Sequence, residues 1–358
     1  MRKREYIEFV QKELQSKAKH NKSSLEKIAA GFGIMDQNLV KELTELAIAN
    51  EARRLAHIPG TRETRFEAIV ELYESQVNLS HRTSQSMLLQ QYSTPAPIGY
   101  IAGIYANIDN LKRDGSAFEP SAGNGLLTIA AKPQVFIVNE IDQVRRDNLK
   151  SQGFEAVMSH DATVDFAKKV NENFSGKGYS GNLYPHNGFF AVISNPPFGS
   201  LDHAIEFDGS PIKVLDHLMC IRALDCLRDD GRAALIIGGH TTWDDKGRVT
   251  AGKNRVFYSY LYRNYLVDDI INIDGHKLYS RQGTSFNVRL ILISGRRTEG
   301  KETSFPPLFD PESDKTVYTF PDLFARVKPY LKSGHDPLDL ELEVEAIELE
   351  LELLKFSR

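Results

Sequence analysis

The stretch FFAVISNPPFG at residues 189–199 decides the fold of this chain. Its first six residues, Phe189–Ser194, are mostly aromatic or β-branched, which predicts a buried strand. Asn195, Pro196, Pro197 and Phe198 follow, and the two prolines fix two φ angles and remove two backbone donors. The result is a stiff turn, rich in acceptors and next to an aromatic ring, which suits a planar group with an NH2. An Asn-Pro-Pro turn can equally be plain punctuation between a strand and a loop.

Similar apolar runs recur on both sides of this stretch and alternate with helical stretches, the pattern of a mainly parallel sheet. The predicted fold class is therefore α/β, with a doubly wound, mainly parallel, seven-stranded sheet. Ligands bind such sheets at the carboxyl ends of the strands, where the Asn-Pro-Pro turn would lie. The last two runs flank a short connection and suggest a hairpin-like edge. The other candidate strands are Ser116–Glu119, Gln134–Asn139, Ala156–Ser159, Ala233–Ile237, Asp269–Ile273 and Val288–Ser294.

Three regions are predicted along the chain. Residues 1–88 form an N-terminal helical region, because their apolar residues recur at helical spacing. Residues 89–298 carry the sheet. Residues 299–358 lose this rhythm and form an acidic tail.

The spacing of apolar residues at the end of the tail fits both a strand and a helix. From Leu338 to Phe356 it alternates Leu and Glu, as a strand would, but the same residues also fit a heptad seam of good helix formers. We favour a helix that docks on the N-terminal helices or on a partner, or that mediates self-association.

Composition places the chain among ordinary soluble proteins. Of its 358 residues 26% are charged and 41% are hydrophobic, and the formal net charge is −4. This charge argues against strong non-specific binding of nucleic acid by the whole surface. No apolar run approaches membrane-spanning length, and the N-terminus lacks an apolar signal region. The two cysteines, Cys220 and Cys226, make neither a disulfide framework nor a zinc site, which favours a reducing, cytoplasmic setting without a bound metal.

A glycine-rich loop follows the first candidate strand. It runs from Glu119 and Pro120 through Gly123 to Gly125, and we expect a helix to begin near Leu126. The glycines allow a sharp turn and a close approach to a ligand, and the helix N-terminus would offer N–H groups to an anion. Such loops are also common as purely structural turns.

Acidic residues end the next two strands. Glu140, followed by Ile141, is placed to accept hydrogen bonds from ribose hydroxyls. Alternatively, Glu140 is a helix cap or a solvated charge. Asp161 would accept from an adenine amine or would simply cap the next helix.

These segments, together with Gln91–Pro95 upstream, resemble the S-adenosylmethionine-dependent N6-adenine DNA methyltransferases. Glu119–Gly125 matches the first motif of that family, and Asn195–Phe198 matches its catalytic motif, with Phe in place of the commoner Tyr. Gln91–Pro95 matches a motif near the methionine part of the cofactor. The order is that of the gamma arrangement, and the resemblance covers roughly residues 89–298. More loosely, the chain is similar to methyltransferases of phages and conjugative elements.

The resemblance implies a seven-stranded methyltransferase sheet, S-adenosylmethionine as cofactor and adenine in DNA as acceptor. It implies Asn195–Phe198 as catalytic residues. It implies cofactor contacts from Tyr92, Thr94, Pro95, Glu119, Pro120, Gly123, Gly125, Glu140, Ile141 and Asp161. The short acidic tail does not resemble the family's target-recognition domain, so specificity and substrate stay open. The alternatives are an RNA base or a protein glutamine amide as acceptor, or a cofactor-binding subunit that is silent without a partner.

Two further stretches are less specific. The polar stretch with His203, Glu206 and Asp208 is a surface loop more readily than a lid over the acceptor. A basic and aromatic cluster would either grip phosphates or form a solvated loop beside a core helix. Its members are Trp243, Lys246, Arg248, Lys253, Arg255, Phe257 and Tyr258.

Overall fold

The computed structural model describes residues 2–79, 93–169, 188–282 and 285–332. Its centre is a seven-stranded sheet in the order β3-β2-β1-β4-β7-β9-β8, and a separate two-stranded sheet pairs β5 with β6. The strands are β1 Ala117–Glu119, β2 Phe136–Asn139, β3 Ala156–Met158, β4 Phe189–Ser194, β5 Ser200–Phe207, β6 Ser210–Val214, β7 Leu227–Gly238, β8 Tyr265–Ile273 and β9 Val288–Arg296.

The large sheet is mainly parallel, as predicted. Neighbours among β3, β2, β1, β4 and β7 pair in parallel, and β9 runs antiparallel to both β7 and β8. Each predicted strand is present, and the hairpin-like pairing of the last two is confirmed. The carboxyl ends of the parallel strands therefore meet at one edge of the sheet.

Strand β7 is longer than the sequence indicates. The prediction began at Ala233, because the polar residues before it, including Gly231, read as a turn. In the structure the pairing begins at Leu227, which lies opposite Phe189 of β4, and a register shift absorbs the extra residues.

Helices cover both faces of the sheet. The longest, α3, is buried along most of its length because other helices pack on one side of it and the glycine-rich loop on the other. None of the described helices combines the length and the apolar character needed to cross a membrane. The helices are α1 Arg2–Gln15, α2 Lys22–Gly31, α3 Gln37–Ala56, α4 Arg62–Ser75, α5 Ala96–Tyr105, α6 Gln143–Gln152, α7 Leu215–Leu224, α8 Lys253–Asn264, α9 Gly275–Leu278 and α10 Phe320–Val327.

Alternation along the strands divides the core in two. On β1, Ala117 packs with the N-terminal helices, whereas Phe118 packs on the opposite face with α7 and α8. Both faces of the central strands are fully buried, as expected for a parallel sheet covered by helices.

Part of the predicted tail packs onto the N-terminal helices. Phe324 of α10 stacks on Phe66 of α4 at 4.5 Å between ring centroids, and Phe320 lies edge-on to Tyr73 at 5.1 Å. The Leu- and Glu-rich end of the tail, within residues 333–358, lies outside the described residues.

The polar stretch after the Asn-Pro-Pro turn is a β-hairpin rather than the expected surface loop. Strands β5 and β6 pair antiparallel and are joined at Asp208-Gly209, where both residues have positive φ angles of 47° and 70°. Two such residues form the turn whose twist matches a hairpin. Because most side chains of β5 are exposed, it lacks the apolar alternation that marks a buried strand.

Candidate functional site

A cavity of about 460 Å³ opens at the carboxyl edge of the sheet, where β1, β2 and β4 end. Predicted residues from five separate segments meet in its wall, although the outermost are about a hundred positions apart in the sequence. They are Thr94, Glu119, Pro120, Gly123, Glu140, Ile141, Asp161, Asn195, Pro197 and Phe198.

Three other predicted residues that the structure describes do not line the cavity. Pro95 and Pro196 are buried behind its wall. Gly125 faces away from it, so that a Cβ there would lie 3.2 Å from the ring of Phe154. Tyr92 lies outside the described residues.

The expected helix after the glycine-rich loop is absent, and this corrects the predicted anion site. Two short 3-10 turns, Leu126–Thr128 and Pro133–Val135, lie between the loop and β2 in its place. Pro133 ends any continuation, because it lacks an N–H group and disfavours helical backbone at Lys132. The loop itself is as predicted, since Gly123 and Gly125 take positive φ angles of 55° and 87°.

Arg53 of α3 donates to carbonyl groups after the loop. A longer helix at this place would have bonded those groups internally. Its guanidinium donates to the carbonyl oxygens of Thr128 at 2.8 Å and Ala131 at 2.7 Å. Burial lowers the pKa of Arg53 to about 10. The loop is therefore held from outside by the N-terminal helices.

Glu140 holds the glycine-rich loop from the cavity side. Its Oε2 accepts from the backbone N–H of Gly123 and its Oε1 from that of Asp142, both at 2.8 Å. It is buried rather than solvated, and Asp142, not Glu140, caps α6. Burial raises the pKa of Glu140, against the opposing effect of Arg145 and the two backbone bonds.

Glu119 lies deeper in the cavity wall at the end of β1. It is 1% exposed, and its Oε2 has no hydrogen-bond partner. Burial and the neighbouring charge of Glu140 raise the pKa of Glu119 well above its usual value. A buried, unpartnered carboxyl oxygen is costly, so this site favours a ligand that brings a donor or a positive charge.

Asn139 joins the loops that follow the first three strands. Its Nδ2 donates to the carbonyl oxygens of Pro120 and His160, both at 2.9 Å, and its Oδ1 accepts from the His160 N–H. Asp161 next to it accepts from the backbone and hydroxyl of Thr163. The cap of the next helical turn is Asp165, so Asp161 does not have the capping role offered as its alternative.

The sequence interpretation missed the contribution of α3. Glu42 accepts from Asn124 of the glycine-rich loop at 2.7 Å and forms a buried ion pair with Arg145 at 2.9 Å. Glu45 is 2% exposed and lines the cavity. Two glutamates three residues apart, within an apolar helical stretch, share one face and were the available signal.

The Asn-Pro-Pro turn forms the opposite wall. Asn195 Nδ2 donates to Thr94 Oγ1 at 2.8 Å. The half-buried ring of Phe198 lies against Gly238 at the end of β7, where a Cβ would be 3.0 Å from Phe198 Cγ. The turn thus has a fixed amide at one end and a supported ring at the other.

Two buried polar side chains, Asp216 and Arg289, lie behind the ring of Phe198. The N–H of Gly238 donates to Asp216 Oδ2 at 3.0 Å, and its carbonyl oxygen accepts from Arg289 at 2.6 Å. Both side chains are about 2% exposed, with Asp216 on α7 and Arg289 on β9. They fix the backbone on which Phe198 lies.

The basic and aromatic cluster is mostly a structural loop. Arg248 and Arg255 both pair with Asp244, at 3.0 and 3.2 Å. Phe257 and Tyr258 are buried in α8. This arrangement favours the loop beside a core helix over the phosphate grip.

Solved structures of three proteins are similar to this chain. A Listeria monocytogenes protein described as a class I S-adenosylmethionine-dependent methyltransferase has 10% identity and a TM-score of 0.43 over 82% of this chain and 92% of its own. A modification subunit of a type I restriction enzyme from Vibrio vulnificus YJ016 has 12% identity and a TM-score of 0.43, over 76% of this chain. The M protein of the type I restriction enzyme EcoKI has 14% identity and a TM-score of 0.39, over 78% of this chain.

This chain spans 60% and 58% of the length of those two modification proteins. No family model and no curated protein sequence matches it.

Proposed function

We propose that this chain is an S-adenosylmethionine-dependent methyltransferase that transfers a methyl group to the exocyclic N6 amine of adenine in DNA. One observation carries the proposal. Asn195, Pro197 and Phe198 of the acceptor-rich turn line one cavity of about 460 Å³ together with the buried residues Glu119 and Glu140. That volume is in the range of small-molecule and cofactor sites.

The residues present fit such a cofactor, which carries an ammonium and a sulfonium group. Glu119 offers the unpartnered Oε2, and Glu140 adds a second carboxyl group beside it. Ile141, 53% exposed at the cavity wall, offers an apolar surface to a planar base. When bound, the cofactor supplies an electrophilic methyl group.

The acceptor side of the chemistry falls to Asn195 and the turn after it. An exocyclic amine is a poor nucleophile, because its lone pair is delocalised into the ring. Asn195 Oδ1, in the cavity wall, is proposed to accept one hydrogen of the amine, and a carbonyl oxygen of the turn the other. This favours a pyramidal nitrogen with an available lone pair. Positioning and preorganised dipoles then supply most of the rate, without a dedicated strong base.

Phe198 is proposed to hold the acceptor ring. In duplex DNA the target base must leave the stack before it reaches this cavity. Stacking on an aromatic ring contributes about 1–3 kcal/mol per base. The support of Phe198 by Gly238 keeps the ring in place for that contact.

A second acceptor, a protein glutamine amide, is favoured by the hairpin that follows the turn. Asp202, Glu206 and Asp208 are exposed on it, against one exposed lysine, Lys213. Acidic side chains near the cavity mouth oppose phosphates. They would instead suit a basic polypeptide, whose glutamine NH2 matches the same turn.

A labelling experiment tests the proposal and separates the acceptors. The chain is incubated with cofactor tritiated in the methyl group and with duplex DNA, RNA or lysate protein. Label in N6-methyladenine of DNA supports the proposal, and label in protein supports the second acceptor. Absence of label from every fraction, together with no calorimetric binding of the cofactor at millimolar concentration, would refute the methyltransferase assignment.

A further inference from the structure

Residues Ser93–Pro95 connect two parts of the molecule that the sequence analysis treated as separate. Ser93 Oγ donates to Glu45 Oε2 of the N-terminal helix α3 at 2.6 Å. Thr94 Oγ1 accepts from Asn195 Nδ2 at 2.8 Å. A chain of side chains thus runs from α3 to the turn proposed to bind the acceptor amine.

The links of this chain are shielded from water. Glu45 and Thr94 are 2% and 4% exposed, and Asn195 is half-buried. Hydrogen bonds in such surroundings are stronger, and breaking one leaves a buried group unsatisfied. The geometry of Asn195 is therefore sensitive to Thr94.

The segment is also held from its other end. Pro95 is followed directly by α5, whose residues are all buried. At Gly99 of α5 an added Cβ would lie 2.4 Å from the carbonyl oxygen of Leu126, so this helix sits against the 3-10 turn with no space between them. Ser93–Pro95 cannot move without breaking the Glu45 bond or shifting this helix.

We infer that Thr94 is a positioning residue for Asn195, and that Glu45 of α3 holds Thr94 in place through Ser93. Because Nδ2 is the amide atom that bonds Thr94, the bond fixes the plane of the amide and with it the direction of Oδ1, the proposed acceptor. This inference rests on the proposed function. It makes α3 part of the machinery that sets the acceptor amide, in addition to its contacts with the glycine-rich loop.

The test compares Thr94→Val, which removes the hydroxyl at nearly constant shape, with Thr94→Ser, which keeps it. Turnover at saturating cofactor and acceptor is expected to fall about 10- to 100-fold in T94V, the range for a misplaced reacting group, and to stay near wild type in T94S. Cofactor affinity is expected to change less than about threefold in both, because the inference assigns the Thr94 hydroxyl to Asn195 in place of the cofactor contact that the resemblance implies. Ser93→Ala is expected to cause a smaller loss of turnover, about three- to tenfold, because Thr94 keeps its own bond.

A matched control is Thr44→Val in the same helix. The Thr44 hydroxyl is buried and bonds Tyr6 and the Val40 carbonyl, away from Asn195. T44V is expected to lower the unfolding temperature while leaving turnover intact, which separates loss of stability from loss of positioning.

A second readout does not depend on activity. The protein is labelled with 15N-asparagine, and the side-chain NH2 resonances of Asn195 are identified by their loss in Asn195→Ser. These resonances are expected to shift in T94V. They are expected to stay in place in T94S and T44V. If wild type transfers no methyl group to any acceptor, the proposed function fails, and these resonances still decide the role of Thr94. Unshifted resonances in T94V overturn the inference. So does a T94V protein that loses cofactor affinity but keeps wild-type turnover at saturation.

Discussion

The two sides of the cavity differ in how they are held. On the side of β1, β2 and β3, buried side chains such as Asn139 and Glu140 bind the backbone of neighbouring loops, and α3 closes the wall from outside. On the side of β4, Asn195 and Phe198 are half-buried, and an exposed hairpin follows them. The first side is therefore fixed by internal hydrogen bonds, whereas the second is more open to solvent.

The largest expected effect comes from the acceptor side. Asn195→Ala should lower methyl transfer by at least about 10²-fold, because it removes the oxygen proposed to accept from the amine. Cofactor affinity, measured by calorimetry, should stay within about threefold. Asn264→Ala is the control, since that amide bonds only within α8 at the opposite edge of the sheet. An N195A protein that loses cofactor affinity and keeps turnover would show that the two sides are assigned the wrong way round.

The reverse pattern is expected at Glu140. Glu140→Gln replaces one carboxyl oxygen with an NH2 group, which cannot accept a hydrogen bond. One of the two backbone N–H groups that Glu140 binds then loses its acceptor, and the glycine-rich loop is held less firmly. Cofactor binding should weaken by about 1–3 kcal/mol, with turnover at saturation nearly unchanged. Glu71→Gln, an exposed partner of Lys17, controls for the loss of charge. Equal affinity in E140Q and wild type would contradict a preorganised cofactor side.

A smaller effect on acceptor binding is expected from Gly238 of β7, against which the ring of Phe198 packs. Gly238→Ala puts a Cβ about 3.0 Å from Phe198 Cγ, closer than side chains normally pack. The KM for the acceptor should rise about tenfold at most, within the stacking contribution of one base. Gly31→Ala is the control, because a Cβ there meets nothing within 4 Å. If G238A has the same effect in a Phe198→Ala background, the ring does not transmit it.

The smallest expected effect is a pH dependence of stability from Glu119. Its pKa is raised above the usual 4.5 by burial and by Glu140, so the folded state holds a proton that the unfolded chain loses as the pH rises. Wild type should therefore lose stability relative to Glu119→Gln as the pH rises above about 4.5, the value in the unfolded chain. Thermal unfolding of both proteins across that range measures the difference.

The control for this pH dependence is Glu63→Gln. Lys328 lowers the pKa of the exposed Glu63, so its carboxyl is ionised in both states across the same range. The difference between wild type and E63Q should stay constant. A constant difference for E119Q as well would mean that Glu119 is ionised in the folded protein.

The sheet was predictable because its strands are buried apolar runs. Phe189–Ser194 was predicted with both ends correct, and the turn after it pointed to the right edge of the sheet. The hairpin was missed because β5 is largely exposed, although Asp208-Gly209 is itself a hairpin signal. The helix after Gly125 was wrongly expected, since a 3-10 turn ends at Thr128 and Pro133 excludes only an extension beyond Lys132.

The contributions of α3 could not be placed from sequence periodicity. Arg53 and Glu42 reach groups more than seventy positions away, and only the packing of α3 beside the loop brings them there. A helical pattern says which face is buried but not what that face meets. The domain limits at residues 88 and 299 stay predictions.

The stacking of Phe324 on Phe66 joins parts of the chain more than 250 residues apart. During synthesis from the N-terminus, α4 emerges long before α10 exists. Phe66 therefore lacks its stacking partner until the strands of the sheet have been synthesised. The packing of the N-terminal helices is thus completed late in synthesis. A chain that ends before residue 320 lacks the aromatic partner of Phe66.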